Sequence, residues 1–160
     1  MKKKNFIYFV ILIITAAVTG CDSGYDCSLN NIAYNRIGFY SMSAEGIEKE
    51  YAMQDALTVS MMINGQEAEV IGNNKDGLLL PMSYTQECDT VLFTYEGEMQ
   101  DTLYVNHSNI QFYQSMECGT VMYHRINSVG HTRNMIDSIA IAQNFVNFDG
   151  NENLKVYFIE

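Results

Sequence analysis

The chain has 160 residues, with nine Lys and Arg against 19 Asp and Glu, one Pro, four Cys and no Trp. That length suits a single domain, and a formal charge of −10 excludes the basic surface that nucleic-acid binding requires. An apolar fraction of 48% also exceeds what a disordered chain carries.

In chain order, the first element is an address. Lys2, Lys3 and Lys4 precede an almost wholly apolar run from Phe6 to Val18, the layout of a secretory signal peptide. Ile7 to Val18 spans 12 residues, well short of the roughly 20 that cross a bilayer as a helix. The tetrapeptide Val18-Thr19-Gly20-Cys21 resembles the bacterial lipobox. That resemblance implies a diacylglycerol on the Cys21 thiol, cleavage before Cys21, and acylation of the new amine with chains such as palmitate. One acyl chain holds a protein only marginally, and each buried CH₂ adds about 0.8 kcal/mol, so two or three chains make a lasting anchor. The expected organisation is a lipoprotein signal peptide over 1–20, a lipidated flexible stem over 21–26 and a β-sandwich domain over 27–160. Removing 1–20 takes three lysines and no acid, leaving six bases against 19 acids, a formal −13. Such a domain is repelled by anionic lipid and stands off from it. The expected location is the cell envelope, anchored in the outer membrane.

The body reads as strands and turns. One helical candidate exists, Ala44 to Ala56, with Ile47 and Tyr51 four apart, but it is short and poorly capped. Leu57, Val59, Met61 and Ile63 alternate with Thr58 and Ser60, the period of a half-buried strand. Asn64-Gly65 is a strong two-residue hairpin signal, with Gln66 to Ile71 as the return strand. A turn at Asn73 to Gly77 precedes an apolar strand, Leu78 to Pro81. Thr90 to Tyr95 forms another, closed by Glu96-Gly97-Glu98. Asp101 to Val105 alternates, Asn106 to Asn109 reads as a turn, and Ile110 to Tyr113 alternates again. Gly119 to Ile126, Ile136 to Val146 and Leu154 to Ile159 complete the set, the last entered through Asp149 to Asn153. Short strands punctuated by turn residues predict one all-β sandwich.

If Cys21 carries lipid, Cys27, Cys88 and Cys118 remain. In an oxidising space the expectation is one disulfide and one free thiol. A Cys27–Cys118 bond, pinning the stem to the body, is favoured over three reduced, buried cysteines. Cys88, at the opening of a strand, is then the partly buried free thiol. No C-x-x-C occurs.

Several short stretches together resemble an uncharacterised family of small Bacteroidota lipoproteins: Leu80-Pro81, Asp101-Thr102-Leu103, Met116-Glu117-Cys118-Gly119 and Thr132 through Ile139, with the lipobox and the early Cys27. The resemblance covers most of the chain after the signal. It implies an immunoglobulin-like antiparallel β-sandwich, of about seven to nine strands here, and paired cysteines that fit Cys27–Cys118. It implies no reaction. It also implies a habitat in which exported proteins carry O-glycans on Asp-(Ser/Thr)-apolar tripeptides, which would place them at Thr90, Thr102 and Ser138. Turn-ending acids followed by strand-opening hydroxyl residues explain the same tripeptides.

Candidate chemistry is sparse. The sequence has no G-x-S-x-G elbow, no H-E-x-x-H helix and no phosphate-binding glycine loop. His107, His124 and His131 share no metal-ligand spacing. Asp149, Asn151 and Asn153 copy the first ligand positions of a calcium loop, but Leu154 stands where the sharp-turn glycine belongs; a hairpin turn explains them too. The expected function is therefore a non-enzymatic, lipid-anchored module for binding or assembly. It needs no cofactor, and its partners are membrane lipid through acylated Cys21 and an envelope protein or glycan. The alternative is a calcium-stabilised adhesion-like module. A third reading, a hydrolase with dispersed partners, needs His124 or His131 in a pocket beside a carboxylate.

Overall fold

A computed structural model describes residues 32–52, 57–63, 66–69, 77–96, 99–116 and 118–159. The predicted all-β class is the class observed, and no helix occurs among the described residues. Eleven strands occur among the described residues: β1 (Tyr34–Met42), β2 (Glu48–Glu50), β3 (Thr58–Ile63), β4 (Gln66–Glu69), β5 (Gly77–Pro81), β6 (Cys88–Thr94), β7 (Gln100–Ser115), β8 (Gly119–His131), β9 (Ile136–Ile141), β10 (Phe145–Val146) and β11 (Leu154–Phe158). They form two sheets. One has the order β10-β8-β7-β6-β3-β4; the other runs β2-β1-β11-β9, with β5 also paired to β1. Every pairing between named strands is antiparallel except β1 with β11.

The apolar phase of each strand decides which face is buried. In β6, Asp89, Val91 and Phe93 point inward between half-exposed neighbours, and β11 buries Leu154, Val156 and Phe158. Phe39 of β1 meets Phe158 edge-on at 5.2 Å and Phe93 of the facing sheet at 6.3 Å. Aromatic pairs at this spacing contribute beyond their buried area, and this one ties the two sheets through a shared core. Val59 and Met61 of β3 are buried as their phase predicts, while Thr58 and Met62 are exposed. Ser60, flanked by Leu92 and Glu69, is covered as well.

Four expectations change. The helical candidate at 44–56 is a turn at 44–46 followed by strand β2 where it is described. Gly46, at φ +76°, closes a turn whose amide donates to Ser43 O at 2.8 Å, and β2 then pairs back on β1. The turn expected at Asn106 to Asn109 is the middle of a 16-residue strand, marked by a register shift between Asn106 and His107. A bulge of this kind bends a strand and re-aims its side chains without ending it. The run from Ile136 to Val146 divides into β9 and β10, which belong to different sheets. Lastly, Asp149 to Asn153 is no hairpin turn, because it carries the chain from β10 in one sheet to β11 in the other. Ile63 stands opposite Gln66, the register a two-residue loop gives, although Asn64 and Gly65 lie outside the described residues. So do 1–31, which include Cys21 and Cys27.

Candidate functional site

Two features stand out on the long β7–β8 pair: a sealed polar root and a bare apolar end. The root forms because His107 continues the inward phase of Asp101, Leu103 and Val105 along β7, next to Asp89 of β6 and His124 of β8. All three are at most 2% exposed. His107 Nε2 lies 3.1 Å from Asp89 Oδ2, and the two imidazoles meet edge-to-face with centroids 5.3 Å apart. His124 Nδ1 and Asn109 Oδ1 are 2.8 Å apart. The loop before β6 closes the root. Ser83 N–H donates to Asp89 Oδ2 at 3.2 Å, His107 N–H to Glu87 O at 2.8 Å and Asn109 Nδ2 to Gln86 O at 3.1 Å. Tyr84 stacks on His124 at 5.7 Å.

Burial pushes the His124 imidazolium down to a pKa of about 4, with facing His107 adding to the shift and Asp89 opposing it. Asp89 Oδ1, His107 Nδ1 and His124 Nε2 find no hydrogen-bond partner among the described residues. The root thus carries buried polar atoms that its own side chains do not satisfy, which is costly in a low-dielectric interior.

Asp101, one strand over from Asp89, is the opposite case. Its carboxylate accepts from Thr132 Oγ1 at 2.7 Å and from the amides of Asn134, Met135 and Ile136 at 2.9, 2.7 and 3.0 Å. Tyr95 OH adds a fifth bond at 3.3 Å. Burial alone would raise the Asp101 pKa, but these donors outweigh it and hold the carboxyl below the ordinary range. The same carboxylate and the burial around it raise the Tyr95 hydroxyl. Asp101 therefore fixes the loop that leads from β8 into β9.

The bare end lies beyond the sandwich. β6 covers β7 as far as Asn106, while β8 follows β7 out to Ser115. On this ribbon Phe112 is 46% exposed, Tyr113 60% and Met116 91%. Phe112 stacks on Tyr123 at 5.0 Å, and Tyr123 meets Phe145 and Phe148 edge-on at 5.6 and 5.2 Å. These rings brace the ribbon from one face and leave its tip uncovered by any described residue.

The sequence-predicted sites fare as follows. Thr90, Thr102 and Ser138 are half-buried within β6, β7 and β9, and they are not gathered in one place. The acids before Thr90 and Thr102 are the buried Asp89 and Asp101, so only Asp137 of the three tripeptides is exposed. Asp149 Oδ1 accepts from Asn151 N–H at 2.9 Å and Oδ2 from Gln143 Nε2 at 2.9 Å. Asn153 is turned away from that pair and buried. Its Oδ1 accepts from Arg36 N–H at 3.0 Å, and its Nδ2 donates to Gln143 O and Phe145 O at 3.2 and 3.1 Å. It staples β1 to the β9–β10 connection. Among the described residues no group of three or more His, Cys, Asp or Glu is arranged to hold a metal ion. His131 Nε2 lies 3.2 Å from Asp137 O, and the histidine beside a carboxylate is His107, which sequence placed in a turn. Cys88 opens β6 as a free thiol and is exposed rather than partly buried. Cys118 is half-buried in the turn before β8.

A second polar cluster covers the outer face of β1 and β11. Glu48 accepts from Lys155 Nζ and Tyr157 OH, both at 2.6 Å, and Glu152 accepts from Tyr40 OH at 2.9 Å. The Lys155 ammonium sits 4.5 Å from the Tyr40 ring centroid. Gly38 leaves the notch in which the Glu152 carboxylate lies, since a Cβ there would collide with it.

No curated protein and no solved structure matches the chain. A family model does match, over residues 56–158, which is β3 through β11 and leaves β1 and β2 outside. The chain belongs to the family of unknown function DUF6452.

Proposed function

We propose that this chain is a bacterial lipoprotein, acylated at Cys21 and anchored in the outer membrane, whose sandwich is a non-catalytic binding or assembly module. The anchor rests on the cationic head, the short apolar run and the lipobox-like Val18 to Cys21. The binding role rests above all on the ribbon end. Phe112, Tyr113 and Met116 expose apolar surface together on an otherwise acidic chain, and exposed apolar patches mark interaction sites. Within this reading Cys27 is the partner of Cys118, which lies in the turn between β7 and β8, so the stem is tied to the ribbon's far end.

Crosslinking in intact cells, followed by pull-down from the membrane fraction, tests the role. A reproducible crosslinked species is expected. Turnover of a substrate in hydrolase panels would overturn the non-catalytic part. The anchor has its own test. Cys21→Ser is expected to release the protein from sedimenting membranes, and unchanged sedimentation contradicts acylation there.

A further inference from the structure

We infer that the outer edge of β7 between Ile110 and Ser115 is a self-association edge, and that its occupant is the same edge of a second copy of this chain, paired antiparallel. The inference rests on the binding-module reading and names the partner for that surface. β7 has a strand on both sides only as far as Asn106, where β6 ends. From Ile110 to Tyr113 its β8 side is paired residue by residue, with Gln114 skipped before Ser115 meets Gly119, and no strand occupies its other side among the described residues. An edge of this kind offers a row of backbone donors and acceptors to any extended segment.

Sheet edges are ordinarily protected by Lys, Pro, inward charges or a bulge. This stretch, Ile-Gln-Phe-Tyr-Gln-Ser, has none of the protecting residues; one register shift falls before it and the other at Gln114, which leaves Ile110 to Tyr113 as regular strand. Its residues are of types that favour strands, and Phe112 and Tyr113 expose apolar surface on both faces. Charge selects the occupant. The chain carries a formal −10, so two copies repel wherever their acids face each other. From Ser108 to Tyr123 the only charged residue is Glu117, which makes the ribbon the surface on which two copies approach with least repulsion. An antiparallel edge is also self-complementary: each copy gives the same residues, and the pair closes on a two-fold axis without leaving a free edge to propagate. Two copies tethered to one membrane meet at a raised effective concentration.

Sedimentation equilibrium of the full chain in a density-matched non-ionic detergent tests this. The expected result is a monomer–dimer equilibrium, shifted at least tenfold towards monomer by Gln114→Lys and by Gln111→Lys, which place like charges on the shared edge. Lys49→Gln, on the opposite sheet, is expected to leave it unchanged. Hydrogen exchange supplies an independent readout: amides of residues 110–115 are expected to slow with rising protein concentration, while those of β9 do not. A chain that stays monomeric, a dimer insensitive to both lysines, or concentration-independent exchange at 110–115 overturns the self-pairing. A monomer that still gives a discrete crosslinked partner in cells overturns self-pairing alone and leaves the binding-module reading standing.

Discussion

Asp89 and Asp101 invite comparison. Both begin an Asp-Thr-apolar tripeptide, both are at most 2% exposed, and they sit on adjacent strands of one sheet. Asp101 receives five hydrogen bonds; Asp89 receives the Ser83 amide and faces an imidazole at 3.1 Å. The difference teaches that burial alone does not define a carboxylate's role. A fully satisfied buried charge is an anchor, whereas in the root beside Asp89 the buried His124 imidazole, its pKa pushed down, makes stability depend on the proton.

Removing the anchor has the largest expected effect. Asp101→Ala strands four donors of the β8–β9 loop and the Tyr95 hydroxyl, and losing one partner of a buried, hydrogen-bonded charge costs about 3–5 kcal/mol. Urea unfolding checks it; a loss below about 1 kcal/mol contradicts the anchoring role. Asp101→Asn is expected to fall between Ala and the native residue, because the amide oxygen keeps part of the acceptor set.

The second effect is on pH dependence. His124 is neutral when folded, and its folded pKa of about 4 lies below the ordinary 6.5. As pH falls below that ordinary value the unfolded chain takes up the proton first, so stability declines until the folded pKa is reached and then levels. The full decline is about 3 kcal/mol at 1.36 kcal/mol per pKa unit. Asp101 acts in a separate, lower window. Its folded pKa is depressed, so its contribution is complete above the unfolded carboxylate value and fades only as pH drops through the folded one. Urea midpoints measured across mildly acidic pH are expected to fall with pH in the native chain and to flatten in His124→Leu. An equally steep slope in His124→Leu would show that another group carries the response.

Smaller effects sharpen the comparison. Tyr84→Ala uncovers His124, and losing one stacked ring contact costs about 1 kcal/mol. The same change is expected to weaken the acid response, since water then reaches the imidazole; thermal melts at two pH values resolve both. On the outer face, Glu48→Gln breaks an exposed Lys155 pair, and such pairs contribute little. No measurable shift in the denaturation midpoint is expected, and a clear loss contradicts the assignment of that cluster as a surface network.

Much of the scaffold was legible locally, because period-two alternation survives wherever a strand has one wet face. β3, β5, β6 and β11 show this, and the Ile63–Gln66 register fits the Asn64-Gly65 signal. What failed was non-local. Asn106, Ser108 and Asn109 read as turn residues, yet across the β7–β8 ladder they find Ser128 at 3.1 Å, Asn127 at 2.9 Å and His124 at 2.8 Å. Polar residues satisfied by a neighbouring strand carry no sequence mark of it. The root is illegible for the same reason: Asp89, His107 and His124 are separated in sequence and converge only through the pairing of β6, β7 and β8. Asn153 was read as a ligand position because spacing reports residue type, not the backbone groups that occupy its carboxamide.

If the protein is an anchored module, the far end of the β7–β8 ribbon is its working surface. A photoreactive side chain placed at Tyr113 in the full chain, irradiated in intact cells, tests it most directly, with a second placed at Lys155 on the opposite sheet for reference. A discrete crosslinked species is expected from position 113 and none from position 155. Adducts absent at 113, or the same adducts from both positions, would contradict it.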